Sequence, residues 1–214
     1  MEENIDWSKV NGLLPAIVQD VHSGAVLMLG YMNAAALAQT RAEGRVTFYS
    51  RTKGRLWTKG ESSGHYLAVR ALSLDCDGDS LLVLAEPQGP TCHTGATSCF
   101  HRYDREPPPG WPWFAQLSGE LAQRKSADPA VSYTARLHGR GLQKIAQKVG
   151  EEGVETALAA VAGADGELSG EVADLLYHLT VLLHARHLDW PAVLAQLHRR
   201  QRGVGLHPEG INKG

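Results

Sequence analysis

The run Glu106-Pro107-Pro108-Pro109-Gly110 near the middle of the chain limits the fold more than any other stretch. Proline has no backbone N–H to donate and its ring blocks a continuing helix, so consecutive prolines favour an extended, semi-rigid spacer. The two sides of this run also differ in pattern, which places a domain boundary here. Residues 1–105 read as one domain, 106–113 as a Pro-rich linker, 114–203 as a second domain and 204–214 as a tail with too little apolar content to promise order. Trp111 and Trp113 are placed to pin the linker to one of the domains.

Before the linker, short apolar runs alternate with turn signals. Residues 16–21 and 25–31 flank His22-Ser23-Gly24 and predict a β-hairpin. Asn33 is suited to cap a short helix that Gly44 ends. Residues 45–49, 67–74 and 80–86 read as further strands, which together predict an α+β domain with a twisted antiparallel sheet and short helices. After the linker the strand pattern vanishes. Residues 114–125, 133–162 and 168–187 carry helical spacing, with Asp165-Gly166 in the loop between the two long patterns. Asp189-Trp190-Pro191 opens a last helix running towards Arg200, proline being tolerated in a first turn. The expectation is an all-α four-helix domain.

All three cysteines fall in one window, as Asp75-Cys76-Asp77-Gly78-Asp79, then Cys92-His93-Thr94-Gly95, then Cys99. Thiolate sulfur suits zinc, and a carboxylate cluster such as Asp75, Asp77 and Asp79 suits magnesium. Structural zinc is usually closed by four protein ligands, whereas catalytic zinc keeps a position open for water, so three cysteines predict a water-carrying zinc provided that all three meet. Small buried hydrophobes are one alternative, which the crowding beside alternating aspartates disfavours. A disulfide pair plus a free thiol is another, disfavoured by the odd count and by the acidic N-terminus, Met1 to Asp6, which lacks a secretory core. Asp75, Asp77, Asp79 and Glu86 also match part of a calcium-loop template, but the glycine required at its sixth position is Ser80, and residues 81–85 read as a buried strand. Cys76 lies among carboxylates, and extended neighbours point to opposite sides, so one chain is poorly placed to bring it to Cys92 and Cys99.

Two further stretches carry chemistry. Residues 50–65 gather Arg51, Lys53, Arg55 and Lys59 with glycines and hydroxyls and no hydrophobic periodicity. Glycine lets backbone amides approach an anion, and the cations supply charge-assisted bonds, so a phosphate-gripping loop and a solvated basic loop are both open readings. In the helical half, Glu152-Gly153-Val154-Glu155, preceded by Glu151, and Glu171-Val172-Ala173-Asp174 each place two carboxylates one turn apart on one helix face. On antiparallel helices the pairs converge, and converging carboxylates call for a cation such as magnesium with substrate phosphates. Lys144 and Lys148, also one turn apart, are placed to meet phosphate. Exposed glutamates on a solvated helix are the bland alternative, but these border apolar residues. A formal net charge of -2 argues against nucleic acid as a partner, and no apolar run is long enough for a membrane span. Cytoplasm is the default setting.

Together, Ser50-Arg51, Leu56-Trp57-x-Lys59-Gly60-Glu61-x-Ser63-Gly64, the Asp-Cys cluster, Cys92-His93-Thr94-Gly95 and Cys99 resemble the phosphoribosyl-AMP cyclohydrolases. The segments Ser132-Tyr133-Thr134, residues 144–152 and residues 171–177 resemble the phosphoribosyl-ATP pyrophosphohydrolases, with the ExxE…ExxD pattern of all-α nucleotide pyrophosphohydrolases. The chain as a whole resembles the bifunctional fusion of histidine biosynthesis. The resemblance implies release of pyrophosphate from phosphoribosyl-ATP with magnesium on Glu151, Glu152, Glu155, Glu171 and Asp174, Glu152 being essential to catalysis. It then implies opening of the purine ring of phosphoribosyl-AMP at N1–C6 by water on a zinc held by Cys76, Cys92 and Cys99. His93 or His65 would move the proton, and Asp75, Asp77 and Asp79 would hold magnesium. Arg51, Lys53, Arg55, Lys59, Lys144 and Lys148 would contact substrate phosphates. The resemblance also implies a homodimer that shares its zinc between subunits. A general nucleotide pyrophosphohydrolase with a zinc-stabilised accessory domain is the alternative, and a zinc-stapled nucleic-acid module a more distant one.

Overall fold

The structure is a computed structural model that describes residues 5–163 and 165–203; the tail at 204–214 and most of the acidic N-terminal stretch lie outside the described residues. It divides into two compact units, Met1–Ala115 and Gln116–Gly214.

In the first unit, β1 (Leu14–Asp20) and β2 (Val26–Met32) form the expected hairpin. Asp20 organises its turn, accepting from the His22 amide at 3.0 Å and from the Ser23 hydroxyl at 2.6 Å. Helix α1 (Ala34–Glu43) begins where the Asn33 side chain accepts from the Ala36 amide at 2.8 Å, and it ends on Gly44 in the left-handed conformation. Four strands follow: β3 (Thr47–Ser50), β4 (Arg55–Thr58), β5 (Leu67–Leu74) and β6 (Leu81–Pro87). The main sheet has the order β2-β1-β6-β5, and β3 and β4 pair separately. Its pairings are antiparallel except for β1 with β6, which run parallel. That pairing requires a long crossover between distant strands, which no local turn signal announces.

Alternation decides the core. Leu14, Ala16 and Val18 of β1 and Leu81, Val83 and Ala85 of β6 all face inward, as period-two side-chain placement requires. Leu27, Met32, Leu37, Val46 and Phe48 complete this core, and truncating one such leucine to alanine costs about 2–5 kcal/mol. Thr40 joins α1 to β3: its hydroxyl donates to the Thr47 carbonyl and accepts from the Thr47 amide at 2.9 Å, all within the core.

The basic stretch at 50–65 is not wholly a loop, because it contains β4. Leu56 and Trp57 are the reason, since Trp57 stacks on Phe48 with ring centroids 5.8 Å apart, across the β3–β4 ladder.

The second unit is helical. Helix α2 (Trp111–Arg124) starts three residues before the expected Phe114 and spans the boundary between the units. Helices α3 (Tyr133–Gly139), α4 (Leu142–Ala162), α5 (Asp165–Ala185) and α6 (Trp190–Gly203) follow. The expected four helices are thus five, because the pattern at 133–162 breaks at Arg140-Gly141, where Gly141 takes a φ of 83° that ends one helix and starts the next. Asp165-Gly166 lies within the first turn of α5 rather than in a loop; its carboxylate favours the positive end of the helix dipole. Leu137, Ile145 and Val181 form the small core that locks α3, α4 and α5 together. At the end of α4, a Cβ on Gly163 would stand 2.8 Å from the Ala159 carbonyl oxygen, so only glycine fits this turn.

Candidate active sites

Helices α4 and α5 run beside each other and bring their acidic pairs together. One carboxylate oxygen each from Glu152, Glu155 and Glu171 lies within 4.8 Å of the others. Burial pushes the Glu155 carboxyl up, and the charges of Glu152 and Glu171 push it further. Like charges held this close repel unless a cation sits among them, and a hard oxygen set fits magnesium. Asp174, one turn past Glu171, is exposed and lies outside this trio. Glu151 also lies outside it: it accepts from Gln147 at 2.7 Å and pairs with Lys148 at 2.8 Å. Lys148 pairs equally closely with Glu152, and both carboxylates raise its ammonium. Lys144 donates to Gln147 at 3.1 Å.

Glu152 is only 5% exposed, and its surroundings hold residues given no role from sequence. His178 Nδ1 lies 2.9 Å from the Asp174 carbonyl and 3.6 Å from Glu152. Its Nε2 lies 3.1 Å from the Tyr133 hydroxyl, and the Tyr177 hydroxyl lies 2.7 Å from that of Thr134. His178 follows Asp174 by one turn, the one signal that could have placed it at the site. A pocket of about 330 Å³ opens next to Lys148, with Tyr133, Arg136, Leu137, Arg140, Lys144 and Glu151 as its other walls.

The sheet unit carries the second centre. Asp75, Asp77 and Asp79 sit in the turn between β5 and β6, with oxygens within 4.8 Å of one another. The Asp75 carboxylate accepts from the amides of Asp79 and Ser80 at 3.0 and 3.1 Å, and Gly78 supplies the positive φ that the turn needs. Lys9 places its ammonium on this cluster, pairing with Asp77 and, at 2.7 Å, with Asp79. The sequence offers no local clue to Lys9, which lies 68 residues from Asp77. An all-carboxylate set already holding a positive charge fits a divalent cation.

Cys92 and Cys99 lie near enough for each to bear on the other's thiol, and the Thr94 hydroxyl donates to Cys92 Sγ at 3.1 Å. That donation is the main cause holding the Cys92 thiol below its ordinary value, while burial and then the Cys92 charge push Cys99 up. Two close sulfurs fit a soft metal, but Cys76 is exposed in the aspartate turn and does not join them. The two carboxylate trios are the only groupings of three or more possible ligands among the described residues. His93 Nδ1 lies 3.9 Å from Cys92 Sγ. His65 is fixed differently: Gly89, at a φ of 120°, lets the imidazole lie where a Cβ would come within 2.7 Å of it. The His65 carbonyl accepts from Lys59 at 3.1 Å. Lys59 is 7% exposed and faces the two thiols; burial lowers its ammonium and the sulfur charges oppose that. Arg55 pairs with Glu61 at 2.6 Å, and Arg51 lies over the Tyr31 ring. Arg51, Lys53 and Lys59 pair with no carboxylate among the described residues; Lys59 is buried on the His65 carbonyl, which leaves Arg51 and Lys53 as the exposed cations of this stretch without one.

A sheet unit with a thiol pair and an aspartate trio, joined to a helical unit with a glutamate trio beside a cationic pocket, has the residues for two separate metal-assisted hydrolytic centres. The phosphoribosyl-AMP cyclohydrolase family model matches residues 28–101, and the phosphoribosyl-ATP pyrophosphohydrolase model matches residues 114–201. The chain is 57% identical to the histidine biosynthesis bifunctional protein HisIE of Haemophilus influenzae, over 98% of both chains. It is 55% identical to HisIE of Escherichia coli K12, over 92% of this chain and 96% of that one. The chain therefore belongs to the bifunctional cyclohydrolase and pyrophosphohydrolase family of histidine biosynthesis, and it is a hydrolase. No helix among the described residues is long and apolar enough to cross a membrane.

Proposed function

We propose that the helical unit cleaves the α–β phosphoanhydride of phosphoribosyl-ATP with magnesium on Glu152, Glu155 and Glu171, Glu151 and Asp174 standing beside them. The observation that carries this reading is the convergence of three carboxylates from two helices within 4.8 Å. Magnesium, when bound, offsets phosphate charge and activates water. The chain's own part is positioning: Lys148 holds Glu152 from one side, His178 borders it on another, and burial excludes water around it. Glu152→Gln is expected to abolish pyrophosphate release from phosphoribosyl-ATP while sparing turnover of phosphoribosyl-AMP. Normal release by that variant would reject the assignment.

The sheet unit then opens the purine ring at N1–C6. Zinc, when bound by Cys92, Cys99 and Cys76, supplies an activated water at neutral pH. His93, beside Cys92, or His65, seated on Gly89, moves the proton. Asp75, Asp77 and Asp79 hold magnesium, and Arg51 and Lys53 are the cations left to meet phosphate. Because Cys76 stays apart from the other thiols within one chain, it comes from a second copy. Val154, Leu158 and Val161 form an exposed apolar stripe on one face of α4 and support self-association. Light scattering is expected to give a dimer, and a fully active monomer would defeat the shared site. Three free thiols suit a reducing, cytoplasmic setting.

A further inference from the structure

We propose that the pocket between α3 and the first turns of α4 reads the N1-linked ribose 5-phosphate of phosphoribosyl-ATP, and so sets the preference for that substrate over ATP. This rests on the pyrophosphohydrolase reading above and deepens it. The two nucleotides carry the same triphosphate, and they differ by the second sugar phosphate. Groups that act on the triphosphate cannot tell them apart, so discrimination needs a separate surface. A site built to bond a polar group rejects an analogue lacking it far better than an apolar pocket does.

The pocket has the right composition for that surface. Arg136, Arg140, Lys144 and Lys148 recur at every fourth position, and all four line it although Gly141 breaks the helix between them. Its one carboxylate, Glu151, is already engaged by Lys148. Arg136 is held by the Pro129 carbonyl at 3.0 Å, which orients the guanidinium without neutralising it. Arg140 makes no ion pair among the described residues, so the pocket keeps a net positive charge aimed at an anion.

The other walls suit a sugar. Leu137 and the Tyr133 ring give it an apolar face. The Tyr133 hydroxyl stands 3.1 Å from His178 Nε2, whose other nitrogen faces the Asp174 carbonyl at 2.9 Å. A hydroxyl carries one donor and two acceptor positions, so Tyr133 keeps capacity to bond a ribose hydroxyl beside that contact. The volume, about 330 Å³, lies at the small end of ligand sites, which run to roughly 1,000 Å³, and so takes a sugar phosphate rather than the whole substrate. Lys148 touches both Glu151 on the pocket wall and Glu152 of the carboxylate trio, so the pocket opens beside the reacting end.

The test measures pyrophosphate release from phosphoribosyl-ATP and from ATP by the full chain, by Arg140→Lys and by the double variant Arg136→Ala/Arg140→Ala. The ratio of the two kcat/KM values is expected to fall about 10²-fold in the double variant, at roughly tenfold for each guanidinium removed, and to be partly kept in Arg140→Lys. An unchanged ratio overturns the proposal. So does an equal fall on both substrates, which would assign the pocket to the triphosphate. Calorimetry with ribose 5-phosphate gives a second readout: the double variant, with unchanged helical circular dichroism, is expected to lose a binding event that the parent chain shows. Retained binding overturns the subsite. If the parent chain releases no pyrophosphate from phosphoribosyl-ATP, the underlying reading fails instead, and the calorimetry alone decides the pocket.

Discussion

Gly89 matters for what it lacks. A methyl group there would meet the His65 ring at 2.7 Å and would also strain a backbone at φ 120°. Gly89→Ala is therefore expected to shift His65 and lower cyclohydrolase turnover, by up to about 10²-fold if the ring moves by an ångström. Pyrophosphate release should hold steady, and assaying both activities on one preparation checks this. The same scale shows what a linear reading can reach. The pairing of Glu152 with Glu155 was legible because helical spacing puts both on one face of α4, whereas Glu171 meets them only through the packing of α5 against that face. His178 and Tyr133 were not legible, since their hydrogen bond joins positions 45 residues apart. Lys59 was legible as a cation but not as a buried one, because its burial comes from the thiols and the His65 carbonyl.

Among the elements, close approach of β2 to β3 depends on Gly30. A Cβ there would lie 2.3 Å from the Phe48 ring, which itself is clamped on Trp57. Gly30→Ala is expected to destabilise the sheet unit by about 1–3 kcal/mol through overpacking, read as a lower denaturation midpoint with the helical unit unchanged. Hairpin β1–β2 and helix α1 were legible because their turn and cap residues are local: Asp20, Asn33 and Gly44 act within a few positions. Strand β4 was hidden because its short apolar centre, Leu56-Trp57, is surrounded by charge and gains its meaning from Phe48. The parallel pairing of β1 with β6 was hidden for a related reason, as both strands read identically whichever way they run.

At the scale of the molecule, buried titratable groups tie stability to pH. In the helical unit, burial lowers both His138 and His184 below 6.5, with Lys125 opposing their charge as well and Asp189 pulling the other way on His184. His138 Nε2 and His184 Nδ1 are buried with no hydrogen-bond partner among the described residues. Both rings are neutral in the fold, so above the unfolded value of 6.5 they leave stability unaffected. As pH falls below 6.5 towards the lowered folded values, the unfolded chain takes up protons that the folded chain does not, and stability is lost. The melting temperature of the helical unit is expected to drop by a few degrees between pH 7.5 and 5.5. His138→Gln/His184→Gln should flatten that slope, and an unaltered slope would assign it elsewhere.

Each centre draws its side chains from its own unit: the glutamate trio from beyond residue 115, the thiols and aspartates from before it. On the proposed assignment, the two reactions are therefore lost by independent lesions. A cell carrying one allele crippled at Gly89 and another crippled at Glu152 would still make histidine, each product curing the defect of the other as the intermediate diffuses between them. Fused in one reading frame, the two halves remain two genetic units.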